Sequence, residues 1–214
     1  MEFIDIALSE YCESHTKQES DLLKQLNRET HLKVPQPRML SGHLQGRFLS
    51  FISKLLQPKL ILEIGTYTGY SALCLAEGLA KEGKLITIDP NEETNHFAKQ
   101  YFEKSLYAEQ IEIKEGQALE IIPTLLDNID LVFIDADKKN YLNYYKAVID
   151  KVRNGGLIIA DNVLWSGKVI TDAIESDRET KAIHEFNNFT SNDERVESLL
   201  LAVRDGLMIL RKNV

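Results

Sequence analysis

Three oxygen-bearing side chains stand just after two short apolar runs. Asp135 follows Leu131-Val132-Phe133-Ile134, and Asp161-Asn162 follows Gly156-Leu157-Ile158-Ile159-Ala160. As the ends of adjacent parallel strands, these positions meet at one sheet edge, where open α/β sheets bind their ligands. Two carboxylates and an amide carbonyl make a hard, incomplete coordination shell. It suits Mg2+, Mn2+ or Ca2+, with places left for water or substrate oxygens. No His or Cys stands among them, which argues against zinc. A lone acid at a strand end more often caps the next helix, but three in this arrangement favour the cation. Lys138 lies three residues after Asp135. Near a bound cation its ammonium form is disfavoured, so it can accept a proton. Lys139 beside it reads as an ordinary surface lysine. Trp165, the only tryptophan, follows in Val163-Leu164-Trp165-Ser166-Gly167. It either walls an aromatic ligand or packs under a loop.

A second group lies upstream, in Glu63-Ile64-Gly65-Thr66-Tyr67-Thr68-Gly69-Tyr70-Ser71. Two glycines four apart allow a tight turn and a close backbone approach. Tyr67 stands where the middle glycine of a dinucleotide fingerprint would fall, and no Gly-Lys-Ser/Thr follows, which excludes a P-loop. The loop suits a nucleoside whose phosphates need no cradle; the plainer reading is two glycines that end a strand for packing. Asp89 ends the next apolar run, where a carboxylate can accept both ribose hydroxyls. An Asp before Pro90 also serves as a turn former.

The elements that must position these residues follow from periodicity. The first 57 residues read as helical, with apolar positions at helical spacing in Asp21–Leu26 and Leu44–Leu56. Pro35-Gln36-Pro37 interrupts the helices, because the residue before a proline is pushed out of the α region. Ser41 is an expected N-cap for the third helix. From Lys59 onward, short runs apolar on both faces (Leu60–Ile64, Leu85–Ile88, Ile111–Ile113, Ile129–Ile134 and Leu157–Ala160) alternate with helical segments at Ser71–Lys81, Glu93–Tyr107, Ala118–Leu126 and Tyr141–Val152. That pattern describes a parallel sheet covered on both sides. A further helix is expected over Arg178–Phe189. Arg195–Val203 and Gly206–Arg211, separated by Arg204-Asp205, read as a terminal hairpin. The expectation is an α/β fold with a seven-stranded, mostly parallel sheet in one domain. Residues 1–57 form its helical cap and 58–214 its core.

Composition bounds the rest. A chain of 214 residues with 43% hydrophobic residues can hold one packed core, so it needs no disulfide or structural metal. Its two cysteines, Cys12 and Cys74, are too few for a disulfide framework. The start Met1-Glu2-Phe3-Ile4-Asp5 carries acids where a signal peptide carries Lys or Arg, so a cytoplasmic protein with no membrane partner is expected. A net charge of −8 disfavours nonspecific binding to nucleic acid, although Lys33, Arg38 and Arg47 could form a local basic patch.

Together, Glu63-Ile64-Gly65-x-x-x-Gly69-Tyr70-Ser71, Ile88-Asp89, Asp135-x-Asp137-Lys138-x-x-Tyr141 and Ala160-Asp161-Asn162-Val163 resemble the cation-dependent O-methyltransferases, which include catechol and plant caffeoyl-coenzyme A enzymes. The resemblance covers nearly the whole chain. It implies the Rossmann-like class I methyltransferase fold, and S-adenosylmethionine resting on Glu63, Gly65 and Thr66 with Ser71 toward its methionine carboxylate. It further implies Ser41 over the methionine end, Asp89 on the ribose and the Ala118 backbone against the adenine. Asp135, Asp161 and Asn162 are implied to hold Mg2+, with Asp135 also beside the cofactor and Lys138 as the base. A phenolic substrate with two vicinal oxygens, and a homodimer, are implied as well. Some bacterial relatives instead methylate 5-hydroxyuridine in tRNA. The chain departs from the animal catechol enzymes at Asp137, where they carry an aromatic residue, and at Leu199, where they carry an acid. A nicotinamide-dependent oxidoreductase is disfavoured by the missing glycine and the Asp135/Asp161/Asn162 set. A nucleoside-binding module without catalysis leaves Lys138 unexplained.

Overall fold

The computed structural model describes residues 5–214. The first four, part of the start sequence and of the expected helical cap, lie outside them. The described chain divides into two compact units, Ala7–Ala118 and Leu119–Val214, the latter joined by Asp5 and Ile6.

The first unit carries the expected helices and three parallel strands. In order they are α1 (Ile6–Ser14), α2 (Asp21–Lys33), α3 (Gly42–Leu56), β1 (Leu60–Ile64), α4 (Tyr70–Ala76), β2 (Lys84–Asp89), α5 (Glu92–Phe102) and β3 (Ile111–Glu115). Strand β1 pairs with β2 from Leu60↔Lys84 to Ile64↔Ile88, and β2 pairs with β3 from Leu85↔Ile111 to Asp89↔Glu115. The caps follow side-chain chemistry. Ser20 accepts from the Leu23 N–H at the start of α2, and Asn91 accepts from Glu93 and Thr94 at the start of α5. Ser41 occupies the N-cap position of α3 but makes no capping bond there, because its own backbone is already helical (φ −57°, ψ −32°).

Helix α4 is shorter than the expected 71–81 segment. Gly78 lies where an added Cβ would stand 2.2 Å from the Ser53 carbonyl carbon of α3, so the chain turns away in close contact with that helix. The α3–α4 pairing is sealed by Glu77, whose carboxylate accepts from Arg47 (2.7 and 2.9 Å), Ser50 (2.8 Å) and Lys54 (2.6 Å).

The second unit holds α6 (Ala118–Ile121) from its second residue on, then β4 (Ile129–Ile134), α7 (Tyr141–Val148), β5 (Val152–Asp161), α8 (Ala173–Ser176), α9 (Arg178–Ser191), β6 (Val196–Leu201) and β7 (Leu207–Lys212). Helix α6 ends early because a 3-10 turn built on Pro123 follows it. Strands β4 and β5 run parallel, Leu131↔Leu157 through Ile134↔Ala160, with β7 antiparallel to both β5 and β6. Strand β5 begins earlier than the apolar run: Arg153-Asn154-Gly155-Gly156 continues it past an irregularity, with Gly155 at φ 73°. The hairpin turn is longer than the two residues expected, spanning 202–206. Asp205 is drawn off by the β5–α8 connection: its carbonyl accepts from Leu164 (2.9 Å) and its carboxylate from Ser166 (2.6 Å).

The strand order is β3-β2-β1-β4-β5-β7-β6. The seven-stranded, mostly parallel sheet with its C-terminal hairpin and N-terminal helices is the architecture expected. No helix among the described residues is long and apolar enough to cross a membrane.

Candidate active site

In the first unit, Asp89 organises the loop after β1. Its Oδ2 accepts from the backbone N–H of Thr66 (3.1 Å) and Tyr67 (3.0 Å), while Oδ1 accepts from Asn91 (2.9 Å). The carboxylate therefore both turns the chain at Pro90 and holds the loop. Tyr67 sits in the left-handed region (φ 46°), the conformation a glycine would adopt most easily at that fingerprint position. Gly69 also has positive φ (85°), and a Cβ there would meet the Phe102 ring at 2.5 Å. Beneath the loop, the Thr87 hydroxyl donates to Glu63 Oε2 (2.6 Å), so the 2.6 Å contact between Thr66 and Thr87 has Thr66 as donor. Glu63 is fully buried on β1. Ser41 at the start of α3, Ser71 in α4 and Ala118 are buried too, whereas Gly65 and Asp89 keep partial exposure.

In the second unit, the β4–β5 register sets Ile134 against Ala160, so Asp135 and Asp161 follow at neighbouring strand ends. Asp161 is buried to 2% exposure, and its Oδ1 accepts from the Asn162 N–H (2.7 Å). Asn162 itself is left-handed (φ 58°), as are Trp165, Ser166 and Gly167 further along the same connection. Such backbone at non-glycine residues is held in place only by its surroundings: at Asn162 by the Asp161 carboxylate, at Trp165 by the Asn162 carbonyl and at Ser166 by the Asp205 carboxylate. The described residues contain no cluster of three or more His, Cys, Asp or Glu side chains able to hold a metal. The side chains that follow the two strand ends are two carboxylates and one amide, with hard oxygen atoms among them.

Lys138 is no surface lysine. Only 7% of it is exposed, and Nζ donates to Asp135 Oδ1 (3.0 Å) and to the Tyr141 hydroxyl (2.6 Å). The Tyr141 hydroxyl in turn donates to the Asp161 carbonyl (2.9 Å). Burial, then the nearby carboxylates of Asp135, Asp161 and Asp137, push the Tyr141 pKa well above its usual value, so it stays a neutral phenol. Nζ lies 5.9 Å from the Trp165 ring centroid. The indole Nε1 of Trp165 is buried and meets no acceptor among the described residues. Lys139 is exposed, as expected. Asp137 accepts from Tyr144 and Asn140 and so serves the start of α7. Leu199 lies on β6, 53% exposed. Cys74 is buried in α4, its thiol pushed up to about 12 chiefly by burial.

Residue type and spacing alone assign no role to Tyr141, Asp205 or the Glu63–Thr87–Thr66 chain. Tyr141 carried one signal, its place three residues after Lys138; nothing in the sequence marked Asp205 as a tie to Ser166.

This strand order, parallel but for β7, defines a class I methyltransferase fold. A family model described as O-methyltransferase matches residues 13–213, and the chain belongs to that family. Among curated relatives, caffeoyl-CoA O-methyltransferase 5 of Nicotiana tabacum is 36% identical over 205 residues, covering 91% of this chain and 85% of its own. Among solved structures, the SAH-bound methyltransferase PaMTH1 of Podospora anserina is 29% identical with a TM-score of 0.89, covering 97% of this chain and 94% of its own. The O-methyltransferase of Bacillus cereus in complex with SAH is 28% identical with a TM-score of 0.85, covering 96% and 97% respectively.

Proposed function

We propose that this O-methyltransferase moves the methyl group of S-adenosylmethionine onto one hydroxyl of a catechol-like, vicinal dihydroxy aromatic, with Mg2+ (or Mn2+ or Ca2+) as cofactor. One observation carries the reading. The buried Lys138 Nζ sits 3.0 Å from Asp135 just past the end of β4, and the neighbouring in-register strand ends on Asp161, with Asn162 next in the chain. The SAH-bound neighbours support the donor. The caffeoyl-CoA relatives support the acceptor, since a caffeoyl ring carries two adjacent hydroxyls.

Asp135, Asp161 and Asn162 fit a divalent cation as an all-oxygen set with two negative charges, which leaves places for water and two substrate oxygens. Such a cation, when bound, lowers the pKa of a hydroxyl that chelates it. Lys138, as the neutral amine, receives that proton: the O–H bond breaks, an N–H bond forms at Nζ, and the electron pair left on oxygen forms the O–CH3 bond as the S–CH3 bond breaks, the sulfur leaving with that pair as the neutral thioether of S-adenosylhomocysteine. Asp135 and Tyr141 then hold the ammonium in place. On the donor side, Asp89 accepts from the ribose hydroxyls, with Gly65 and Thr66 giving close backbone approach and Ser41, Glu63, Ser71 and Ala118 completing the cradle. Trp165 offers the acceptor ring a flat apolar face beside Lys138. The protein supplies position and charge rather than covalent bonds.

The test is transfer of labelled methyl from S-adenosylmethionine with Mg2+ present, to 3,4-dihydroxybenzoate and to tRNA carrying 5-hydroxyuridine, run side by side. Label on the phenolic, lost with EDTA and restored by Mg2+, is expected. Label on the tRNA at much higher efficiency overturns the acceptor; turnover indifferent to EDTA overturns the cation.

A further inference from the structure

Lys138 Nζ has four tetrahedral directions, and the structure accounts for three. One is its own Cε. A second carries an N–H to Asp135 Oδ1 at 3.0 Å, and a third an N–H to the Tyr141 hydroxyl at 2.6 Å. The phenol cannot turn round to serve as the donor in that last bond. It has a single proton, committed to the Asp161 carbonyl at 2.9 Å, with the Ile134 carbonyl 3.4 Å away. Its oxygen therefore faces Lys138 as an acceptor only. The ring has no freedom either: Tyr141 is fully buried, with Phe186 packed edge-on at 5.6 Å between centroids.

We infer that Tyr141 is a positioning residue: by taking one N–H of Lys138 while anchored to the Asp161 carbonyl, it fixes the remaining direction of Nζ as the one that meets the acceptor hydroxyl. This rests on the methyl-transfer reading above. Without Tyr141, a four-carbon stem with several rotors would let Nζ swing toward Asp135 alone, and misplacement of a reacting group by about 1 Å can cost a hundredfold in rate.

Tyr141→Phe keeps the ring and deletes the hydroxyl. The expected result is a fall in kcat of about tenfold to a hundredfold, with KM for the catechol and affinity for S-adenosylmethionine within about twofold of wild type. In a Lys138→Ala background the same change should cost nothing further, because nothing is left to position. An undiminished loss in that background, or a wild-type kcat in Tyr141→Phe, overturns the inference.

Replacement of Tyr141 by 4-aminophenylalanine separates the two bonds and guards against a folding defect. The aniline still donates to the Asp161 carbonyl but is a feeble acceptor for Lys138, so kcat should fall as in the phenylalanine variant; wild-type turnover refutes the role. A readout without activity is peptide-mapped acetylation of lysines. Lys138 should be protected relative to Lys139 in the wild type and label several-fold faster in Tyr141→Phe, with Lys139 unchanged. Should no catechol be methylated, the functional reading falls, while labelling still decides whether Tyr141 holds Lys138; equal Lys138 labelling in both proteins shows that it does not.

Discussion

Lys138 and Asp135 stand three residues apart in sequence and 3.0 Å apart in space, at the start of a short 3-10 turn that buries the lysine. A lysine so held is not exchangeable for another cation or for a hydrogen-bond donor elsewhere. Lys138→Ala is expected to lower kcat by about 10²–10⁴-fold, the usual worth of a general base, and to move KM little. Steady-state kinetics with the catechol check this. A raised KM with kcat intact would make Lys138 a binding group instead. Asp161 works differently at the same edge, since its carbonyl anchors Tyr141 while its carboxylate faces the Asn162 backbone.

At the scale of elements, α3 and α4 approach so closely that a methyl group is one too many. Gly78→Ala would put Cβ 2.2 Å from the Ser53 carbonyl carbon and 2.3 Å from the Lys54 nitrogen, backbone atoms that cannot move aside. A loss of about 3 kcal/mol or more is expected in denaturant unfolding; unchanged stability would refute this contact. The same pair carries a pH dependence. Burial pushes the Glu77 carboxyl up, but hydrogen bonds from Arg47, Lys54 and Ser50 outweigh it and hold the pKa at about 2. A depressed carboxylate pKa gives stability that is complete above its unfolded value of 4.5 and is lost as pH falls through about 2. Denaturant midpoints measured across that window should fall less steeply in Glu77→Gln than in the wild type. The difference should amount to about 3 kcal/mol, the order expected for this shift in a mostly buried group.

For the molecule as a whole, the residues assigned to the methyl donor fall in Ala7–Ala118 apart from Asp135, and those assigned to the cation and the base fall in Leu119–Val214. The two halves should therefore fail separately. Asp161→Ala is expected to abolish turnover while calorimetry still finds S-adenosylmethionine binding largely intact. Asp89→Ala should weaken that binding by about tenfold or more, because it removes both the ribose acceptor and the tie on Thr66 and Tyr67. Equal loss of donor binding in both variants would argue against a separate cation site.

Much of this was legible in the chain itself. Runs apolar on both faces, separated by helical segments, can only be strands of a covered parallel sheet, and β1 and β4 fall where the runs stand. Asp135, Asp161 and Asn162 could be placed at one edge because a parallel register carries strand ends with it. Boundaries were less legible where tertiary contact overrode local preference. Helix α4 stops at Ala76 because the α3 backbone lies against Gly78, and β5 reaches back through two glycines because β4 and β7 supply its partners. The finer parts of the site belong to the same class. The bond from Lys138 to Tyr141, the one from Tyr141 to the Asp161 carbonyl that turns its oxygen toward Lys138, and the tie of Asp205 to Ser166 beside Trp165 span 3, 20 and 39 positions. Residue type and spacing determine which chemistry is available; only the packed chain decides which atoms face each other, because hydrogen-bond direction is set by neighbours that are distant in sequence.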